Sequence, residues 1–474
     1  MGLLVSAPGF GADRPNIVFM QSDDQSWYGL SVQMHPDLPN SRSDFYQTPR
    51  LEELAGQGMR FSAAYAPATA CSPTRMSLQS GMTPAKNHWT KAHPIATAES
   101  NYRMIAVQHH KSIRDEVVTI GEVLQAAGYR TAHYGKWHLE GGGPQRHGYD
   151  ESDGNTGNAN ADPLNDPENP LDVVGMSERA LDFMRRADEA GQPFFAHISY
   201  YPLHRQFNAA PKTKAAAEAR PAGKIHSDIE LAAVTEDLDM GVGVLMDGLE
   251  RLGLSDNTYL IYMGDNGHRP GDDNVRTNDP NTPAPLLGAK GNVSEGGIRV
   301  PFIIRGPGIE ANSWSHVPIV GWDLFTTYAE WAEIDSADLP EGIEGGSIVS
   351  VLEDGGVGEV ERPFPGMVFH FPHYQAGTPQ SAIRSGDYKL IKYLETNQTV
   401  LFNIAEDIGE RHNIAAAMPE KAAELEALLD GYLESVQADM PVANPDYDPA
   451  RESRVGTRNY DLSIDPRWYY FPES

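Results

Sequence analysis

An α/β fold, a large mostly parallel mixed sheet sandwiched by helices, is predicted by three features of the sequence. Apolar runs of strand length alternate with helical segments through most of the chain. Alternation of that kind covers both faces of a parallel sheet with helices. Charged and polar residues gather just past the ends of those runs, where open α/β sheets hold their ligands. From about residue 361 the texture changes to short alternating strands and turns, predicting a smaller C-terminal α+β subdomain with a short antiparallel sheet. The expected division is 14–360 for the larger unit, and 361–474 for the subdomain and a wrapping tail.

The elements follow in order. "NIVFM" (16–20) is a buried strand, ending in "QSDDQSW". "TPRLEELAGQG" (48–58) is a helix with Thr48 as cap, Pro49 in the first turn and Gly58 as stop. "ATACSPTRMSLQSG" (68–81) places Cys71 at a helix start. "TIGEVLQAAG" (119–128) opens with a capping box of Thr119 and Glu122. "YRTAHYGKWHL" (129–139) and "PFFAHISYY" (193–201) are strands. "SDIELAAVTEDLDMGVGVLMDGLERLG" (227–253) is a long helix with Ser227 and Glu230 as a second capping box. "TYLIYMGDNG" (258–267) is a strand running into an acidic turn, and "VPFIIRGPG" (300–308) is another strand. "GMVFHFPHY", "SAIRSGDYKLIKYLE" and "QTVLFNI" form the antiparallel strands, and "PEKAAELEALLDGYLESVQ" (419–437) a helix. Two long polar stretches, 154–170 and 269–288, are loops of the length that forms functional lids.

The chain has 474 residues, with 37 Lys+Arg against 66 Asp+Glu and a net charge of -29. Such a surface repels nucleic acid and anionic lipid, so neither is an expected partner. An anionic substrate needs local positive charge. One cysteine excludes an internal disulfide and a Cys-rich zinc site. No apolar run has the length of a membrane span. "MGLLVSAPGFGADRPN" lacks the basic start of a signal peptide, and its match to the short myristoylation pattern is discounted.

Asp23 and Asp24 follow one strand; Asp265 and Asn266 follow another. Adjacent carboxylates repel unless a positive charge neutralises them. Oxygen donors of this type suit a hard divalent cation, calcium or magnesium. Each pair alone reads as turn chemistry; together they favour a metal. Lys136 and His138, two apart on that strand, share one face. Lys290 stands in a Gly-rich loop, His204 follows a strand, and Arg75 lies one helical turn past Cys71. Basic groups around a metal can hold a tetrahedral oxyanion. Cys71 itself reads either as a thiol nucleophile activated by a helix N-terminus or as a small buried hydrophobe. Neither reading explains Pro73 and Arg75.

"CSPTR" followed by "SLQSGMTP" resembles the signature of the type I, formylglycine-dependent sulfatases, arylsulfatase-like members of the alkaline-phosphatase-like superfamily. "NIVFMQSDDQ", "GYRTAHYGKWHL", "HGYDE", "GDNG", "GAKGNVSEGGIRVPFIIRGPG" and "IRSGDYKLI…LFNIAEDIGE" resemble the family's other landmarks in order, over about 14–415. The resemblance implies a sulfuric ester hydrolase in which Cys71 is oxidised to formylglycine by a formylglycine-generating or anaerobic sulfatase-maturing enzyme. It implies one Ca2+ held by Asp23, Asp24, Asp265, Asn266 and the modified Cys71. It places Arg75, Lys136, His138, His204 and Lys290 around the sulfate. His197, inside its strand, competes with His204 because "YYPLHRQF" departs from the family's usual surroundings.

The implied chemistry transfers sulfate to the hydrated aldehyde, giving a covalent sulfo-enzyme that eliminates sulfate. His204 protonates the leaving alcohol, and His138 takes the proton that drives the elimination. "FHFPHY" (369–374) brings His370 and His373 towards the expected substrate pocket, where aromatic and histidine side chains suit a sugar. The expected substrate is a sulfated carbohydrate cut at a chain end, as in polysaccharide degradation. The expected location is the periplasm or outside the cell, with the cytoplasm as alternative. The rival readings are a phosphonate or phosphodiester hydrolase on the same fold, a calcium-dependent carbohydrate-binding protein with an inactive site, and a metal-independent thiol enzyme.

Overall fold

The structure is a computed structural model that describes residues 14–92, 100–107, 112–161, 164–204, 207–270 and 284–451. The N-terminal stretch, most of the 269–288 loop and the tail beyond 451 lie outside the described residues.

Eight strands form the main sheet: β1 (Asn16–Ser22), β2 (Met59–Phe61), β3 (Arg130–Gly135), β4 (Glu151–Ser152), β5 (Phe194–Ser199), β6 (Thr258–Gly264), β7 (Phe302–Arg305) and β8 (Ser313–Ser315). Their order across the sheet is β8-β2-β7-β6-β1-β5-β3-β4. The central strands β6, β1, β5 and β3 are parallel, and β7 runs antiparallel to β6 and β2. The predicted mostly parallel mixed sheet is therefore present.

Period-two alternation divides the strand side chains between two cores. Val18 and Met20 face one core, Ile17 and Phe19 the other. On the first face lie α1 (Pro49–Gln57), α4 (Val173–Glu189) and α5 (Ile229–Arg251), through Leu51, Met176, Phe183, Leu238 and Leu245. On the second lie α2 (Cys71–Ser80), α3 (Ile120–Ala126) and α6 (Asp323–Trp331), through Met76, Leu124 and Phe325. Burying such strands on both faces is why they read as near-continuous apolar runs.

Three local expectations are refined. Thr119 and Glu122 do form a capping box at α3. At α1, Thr48 makes no capping bond; its hydroxyl accepts from the Ser31 amide at 2.9 Å and so ties down a preceding loop. Gly58 is extended there, and a Cβ would fall 2.1 Å from the Ile304 carbonyl, so close packing requires glycine. At α5 the cap is Asp228, which accepts from the Leu231 amide at 2.9 Å, rather than Ser227 with Glu230.

The C-terminal region forms a four-stranded antiparallel sheet of β9 (Met367–Phe371), β10 (Gln380–Ser385), β11 (Tyr388–Tyr393) and β12 (Gln398–Asn403). One face packs on α7 (Pro419–Ser435) through Leu390, Leu401, Leu425 and Leu429. The other meets the larger unit through Phe369, Ile391 and Phe402 against Tyr65, Val293 and Trp322.

A buried ionic cluster crosses the same seam. Glu295 accepts from Lys389 at 2.8 Å, Arg299 at 2.6 Å and the Tyr65 hydroxyl at 2.8 Å. Lys389 also meets Glu410 at 3.0 Å, Glu410 accepts from the Glu295 amide at 2.9 Å, and Arg384 donates to the Tyr65 hydroxyl. Burial alone would raise the Glu295 carboxyl, but Lys389, Arg299 and Arg384 outweigh it and hold it low.

Candidate active site

β1, β3, β5 and β6 deliver their C-terminal ends to one crevice, and α2 begins there. After β1 the chain turns at Asp24, which has φ 54. Aspartate tolerates this left-handed region better than most residues do. The Asp23 amide donates to the Pro202 carbonyl at 2.9 Å, and the Leu203 amide to the Asp23 carbonyl at 2.7 Å. The turn carrying His204 is thereby tied to Asp23.

β3 stops at Gly135, whose φ is +84 and where a Cβ would fall 2.1 Å from the Ser199 carbonyl. Lys136 and His138 therefore lie in a turn and not on one strand face, a correction to the sequence expectation. Lys136 donates its amide to Ser199 at 2.8 Å. His138, at φ 57, donates its amide to Thr156 at 2.7 Å, while its carbonyl accepts from Ser72 at 2.9 Å.

Cys71 is the first residue of α2 and is 1% exposed. Its Sγ lies 3.5 Å from Asp23 Oδ1 and 3.1 Å from Lys290 Nζ. The Lys290 loop is held against α2 by Thr69, whose hydroxyl accepts from the Gly291 and Asn292 amides at 2.7 and 3.1 Å. Arg75, one turn along, reaches under the site. It donates to Asp265 at 2.9 Å, to the Lys136 carbonyl at 2.6 Å and to the Ser199 hydroxyl. One guanidinium thus spans the ends of β3, β5 and β6, with α2 supplying it.

The charges pair closely. Lys136 bonds Asp23, and Lys290 bonds Asp24. Asn266 donates to Asp24 at 2.7 Å, and Asp265 accepts from the Asp24 amide at 2.9 Å. Burial would raise the Asp23 carboxyl, yet Lys136, His204, Arg75 and Lys290 overcome it and hold it far below the carboxylate range. Asp265 goes the other way, raised by burial first and by Asp23 next. Burial would lower Lys290, but Asp24 and Cys71 raise it. His204 is lowered by burial, against the pull of Asp23.

The thiol of Cys71 is pushed up to about 12, by burial first and by Asp23 next. A helix N-terminus would lower it; the neighbouring carboxylate and the loss of water win. Burial and Asp23 thus work against a thiolate nucleophile at an unmodified Cys71.

The donor set fits a hard divalent cation. Asp24 Oδ2 and Asn266 Oδ1 are buried and accept no hydrogen bond, an arrangement that is costly unless a positive ligand sits beside them. Ligand atoms of Asp23, Cys71 and Asp265 lie within 4.8 Å of one another. Oxygen donors of this kind match calcium or magnesium.

Two histidines are placed differently from expectation, and a third lies inside its strand as expected. His197 lies inside β5 and packs on Phe19, with ring centroids 4.8 Å apart, and on His133 at 4.5 Å. It belongs to the second core, which leaves His204 as the histidine next to Asp23. His370 is buried with Nδ1 on Ser381 at 2.7 Å and Nε2 on the Asp439 carbonyl at 2.9 Å. His373 is fully buried, with Nε2 2.7 Å from the Thr90 hydroxyl. The expectation that these two line a substrate pocket is corrected: both rings are buried on protein partners, His370 within the C-terminal unit and His373 against Thr90 of the larger one. Sequence reasoning missed Thr69 and Ser199, which show no signal beyond being polar residues near strand and helix ends.

The family model described as "Sulfatase" matches residues 15–334, and one described as "N-sulphoglucosamine sulphohydrolase, C-terminal" matches 289–439. A sulfatase of Formosa agariphila is 27% identical, covering 86% of each chain. The N-acetylgalactosamine-6-sulfatase of Canis lupus familiaris is 27% identical over 87% of this chain and 79% of its own. Human arylsulfatase A is 26% identical over 90% of this chain and 89% of its own. Among solved structures, Ps i-CgsB in complex with k-i-k-neocarrahexaose shares the fold at TM-score 0.71 and 21% identity, covering 89% of this chain and 93% of its own. A structure solved with its substrate D-glucosamine-2-N,6-O-disulfate does so at TM-score 0.65 and 20% identity, covering 90% and 98%. With the fold, the crevice and the family model over most of the chain in agreement, the chain belongs to the sulfatase family, enzymes that hydrolyse sulfate esters.

Proposed function

We propose that this sulfatase removes sulfate from a sulfated saccharide at a chain end, using formylglycine made from Cys71 and one Ca2+. The observation that carries the reading is the setting of Cys71, buried at a helix start between Asp23 and Lys290 among carboxylates with orphaned oxygens. A protonated thiol has no evident use there, whereas a hydrated aldehyde supplies one hydroxyl to accept the sulfuryl group and a second whose deprotonation expels sulfate. Asp23, Asp24, Asp265 and Asn266 would hold the cation, which supplies charge to a sulfate oxygen. That cation would compete for the carboxylate oxygens that Lys136 and Lys290 now occupy. The two ammonium groups are then available to the sulfate. Arg75 fixes the residue 71 helix against three strand ends. His204 serves as acid to the leaving alcohol; an arriving anion favours its protonated form, against the effect of burial. His138 serves as the base that restores the aldehyde.

The saccharide reading is supported by the relatives' names and by sugar complexes of the fold. Action at a chain end belongs to the same reading; beside the site, Gln375 and Ala376 pack against Gly291, where a Cβ would fall 2.9 and 3.0 Å from them. In this reading residues 14–360 carry the chemistry, and the unit from 361 packs beside the Lys290 loop. A maturing enzyme acts on the Cys71 segment before folding buries it, and the protein works in the periplasm or outside the cell. No helix among the described residues is long and apolar enough to cross a membrane.

Peptide mass spectrometry of the fragment carrying residue 71 tests the modification: one sulfur and two hydrogens are lost and one oxygen gained. The modified protein is expected to cleave sulfated sugars and to leave the matching phosphate esters largely intact. Cys71→Ser should turn over once at best, its rate falling about 10³-fold or more. Sustained turnover by that variant would sink the formylglycine mechanism.

A further inference from the structure

Lys91 stands apart from the other lysines. Every other lysine that is buried or partly buried among the described residues has a carboxylate within 4.0 Å. Lys91 is partly buried, and its one hydrogen-bond partner among the described residues is the Tyr374 carbonyl, at 3.1 Å. Burial lowers it, and no neighbouring charge among the described residues compensates. A desolvated ammonium without a counter-ion is unusual in a chain with 66 acidic residues.

Its setting is built. The Trp89 indole donates to the Lys91 carbonyl at 2.9 Å, and Thr90 is bonded to His373 at 2.7 Å. The chain leading up to Lys91 is therefore pinned. Tyr102 and Tyr374 pack beside it, with ring centroids 4.4 Å apart and both rings partly open. Glu395, the nearest acid on that segment, accepts from the Tyr374 hydroxyl, at the opposite end of that residue from the carbonyl Lys91 holds.

The position is also right for a substrate. Tyr374 is followed by Gln375 and Ala376, which touch Gly291, next to Lys290 and hence to residue 71. Two Cα steps span at most about 7 Å, so the ammonium lies within the reach of a neighbouring sugar residue from the Lys290 loop.

The geometry points to Lys91 as a specificity-determining residue that receives a second anionic group, a uronate carboxylate or a further sulfate, on the sugar next to the one being desulfated. This rests on the reading of the site as a saccharide sulfatase. The Tyr102–Tyr374 pair offers that sugar an apolar face. The preferred substrate is then a polyanionic glycan and not a singly sulfated neutral one.

The test uses the matured full chain, with Lys91→Met and Lys91→Arg. Each is assayed on one sulfated disaccharide in three forms, with the neighbouring sugar neutral, carrying a carboxylate, or carrying a second sulfate. Lys91→Met is expected to raise KM about tenfold or more on an acidic form. It should leave kcat, and both constants on the neutral form, within about twofold; Lys91→Arg should retain most of the preference. The form that loses most identifies the anion. An equal change on all three forms, or none on any, overturns the subsite. If the wild type cleaves no sulfate ester, the functional reading fails by itself. Titration calorimetry with the same three disaccharides then decides the subsite: weaker binding of only the acidic forms to Lys91→Met upholds it, and any other pattern overturns it.

Discussion

Four residues of one loop separate Lys290 from Glu295, and with them two buried charge clusters of opposite character. Around Lys290, three carboxylates and three cations pair, yet Asp24 Oδ2 and Asn266 Oδ1 accept nothing. Around Glu295, the charges of Arg299, Lys389 and Glu410 are matched across the seam to the C-terminal sheet. Both clusters are nearly inaccessible to water. The difference teaches how a buried ionic group can be told apart by its remaining valence. A closed network holds parts together; a network with open acceptors is shaped for something that arrives later.

The largest expected effect breaks the closed cluster. Glu295→Ala leaves Lys389 and Arg299 short of a counter-charge and costs about 3–5 kcal/mol, read as a lower midpoint in guanidinium unfolding. Replacing Glu295 and Lys389 together by apolar residues should cost less than the single change. If the single change is neutral, the cluster is not what joins the two units.

A smaller effect sharpens the contrast from the open side. Added Ca2+ at 100 times its Kd should raise stability by about 2.7 kcal/mol, and a chelator should reverse this. Asp24→Asn should lose most of that increment, whereas Glu295→Ala should keep it. An equal calcium response in both variants would mean that the cation binds elsewhere.

The smallest is a slope with pH. Burial lowers His370 to about 4 and His133 to about 3, and lowers His197 strongly as well. The folded values lie below the ordinary histidine value of 6.5, so the unfolded chain takes up protons first. The stability contribution is whole above pH 6.5 and declines as pH falls towards 4 and 3. Each histidine adds about 1.4 kcal/mol per pH unit to that decline. Unfolding measured between pH 7 and 4.5 should show a flatter slope in His370→Gln, which can keep one of the two bonds. An unchanged slope would mean that His370 is already hydrated in the fold.

How much was legible follows the range of the interaction. Thr119 with Glu122 reads as a cap and is one, because both partners lie within one turn. Thr48 reads equally well as a cap and is not, because Ser31 competes for its hydroxyl from a distant loop. Asp23, Asp24, Asp265 and Asn266 could be picked out because strand ends of a parallel sheet must converge. His370 and His373 misled because their partners, Asp439, Ser381 and Thr90, come from three other segments. The helix 173–189 was passed over beside a long polar loop, although its apolar face packs squarely on the sheet.

The sequence by itself determined the alternation of strands and helices, the mixed sheet, the chemistry-bearing residues at strand ends and the special place of Cys71. These depend on period, caps and residue type, which are local properties. The tertiary structure alone decided which oxygens are left open, that Arg75 spans three strand ends, that His204 and not His197 stands beside Asp23, and that Lys91 has no counter-ion among the described residues. Those facts depend on distances between segments hundreds of residues apart, and burial makes each ångström of them count because water no longer screens the charge.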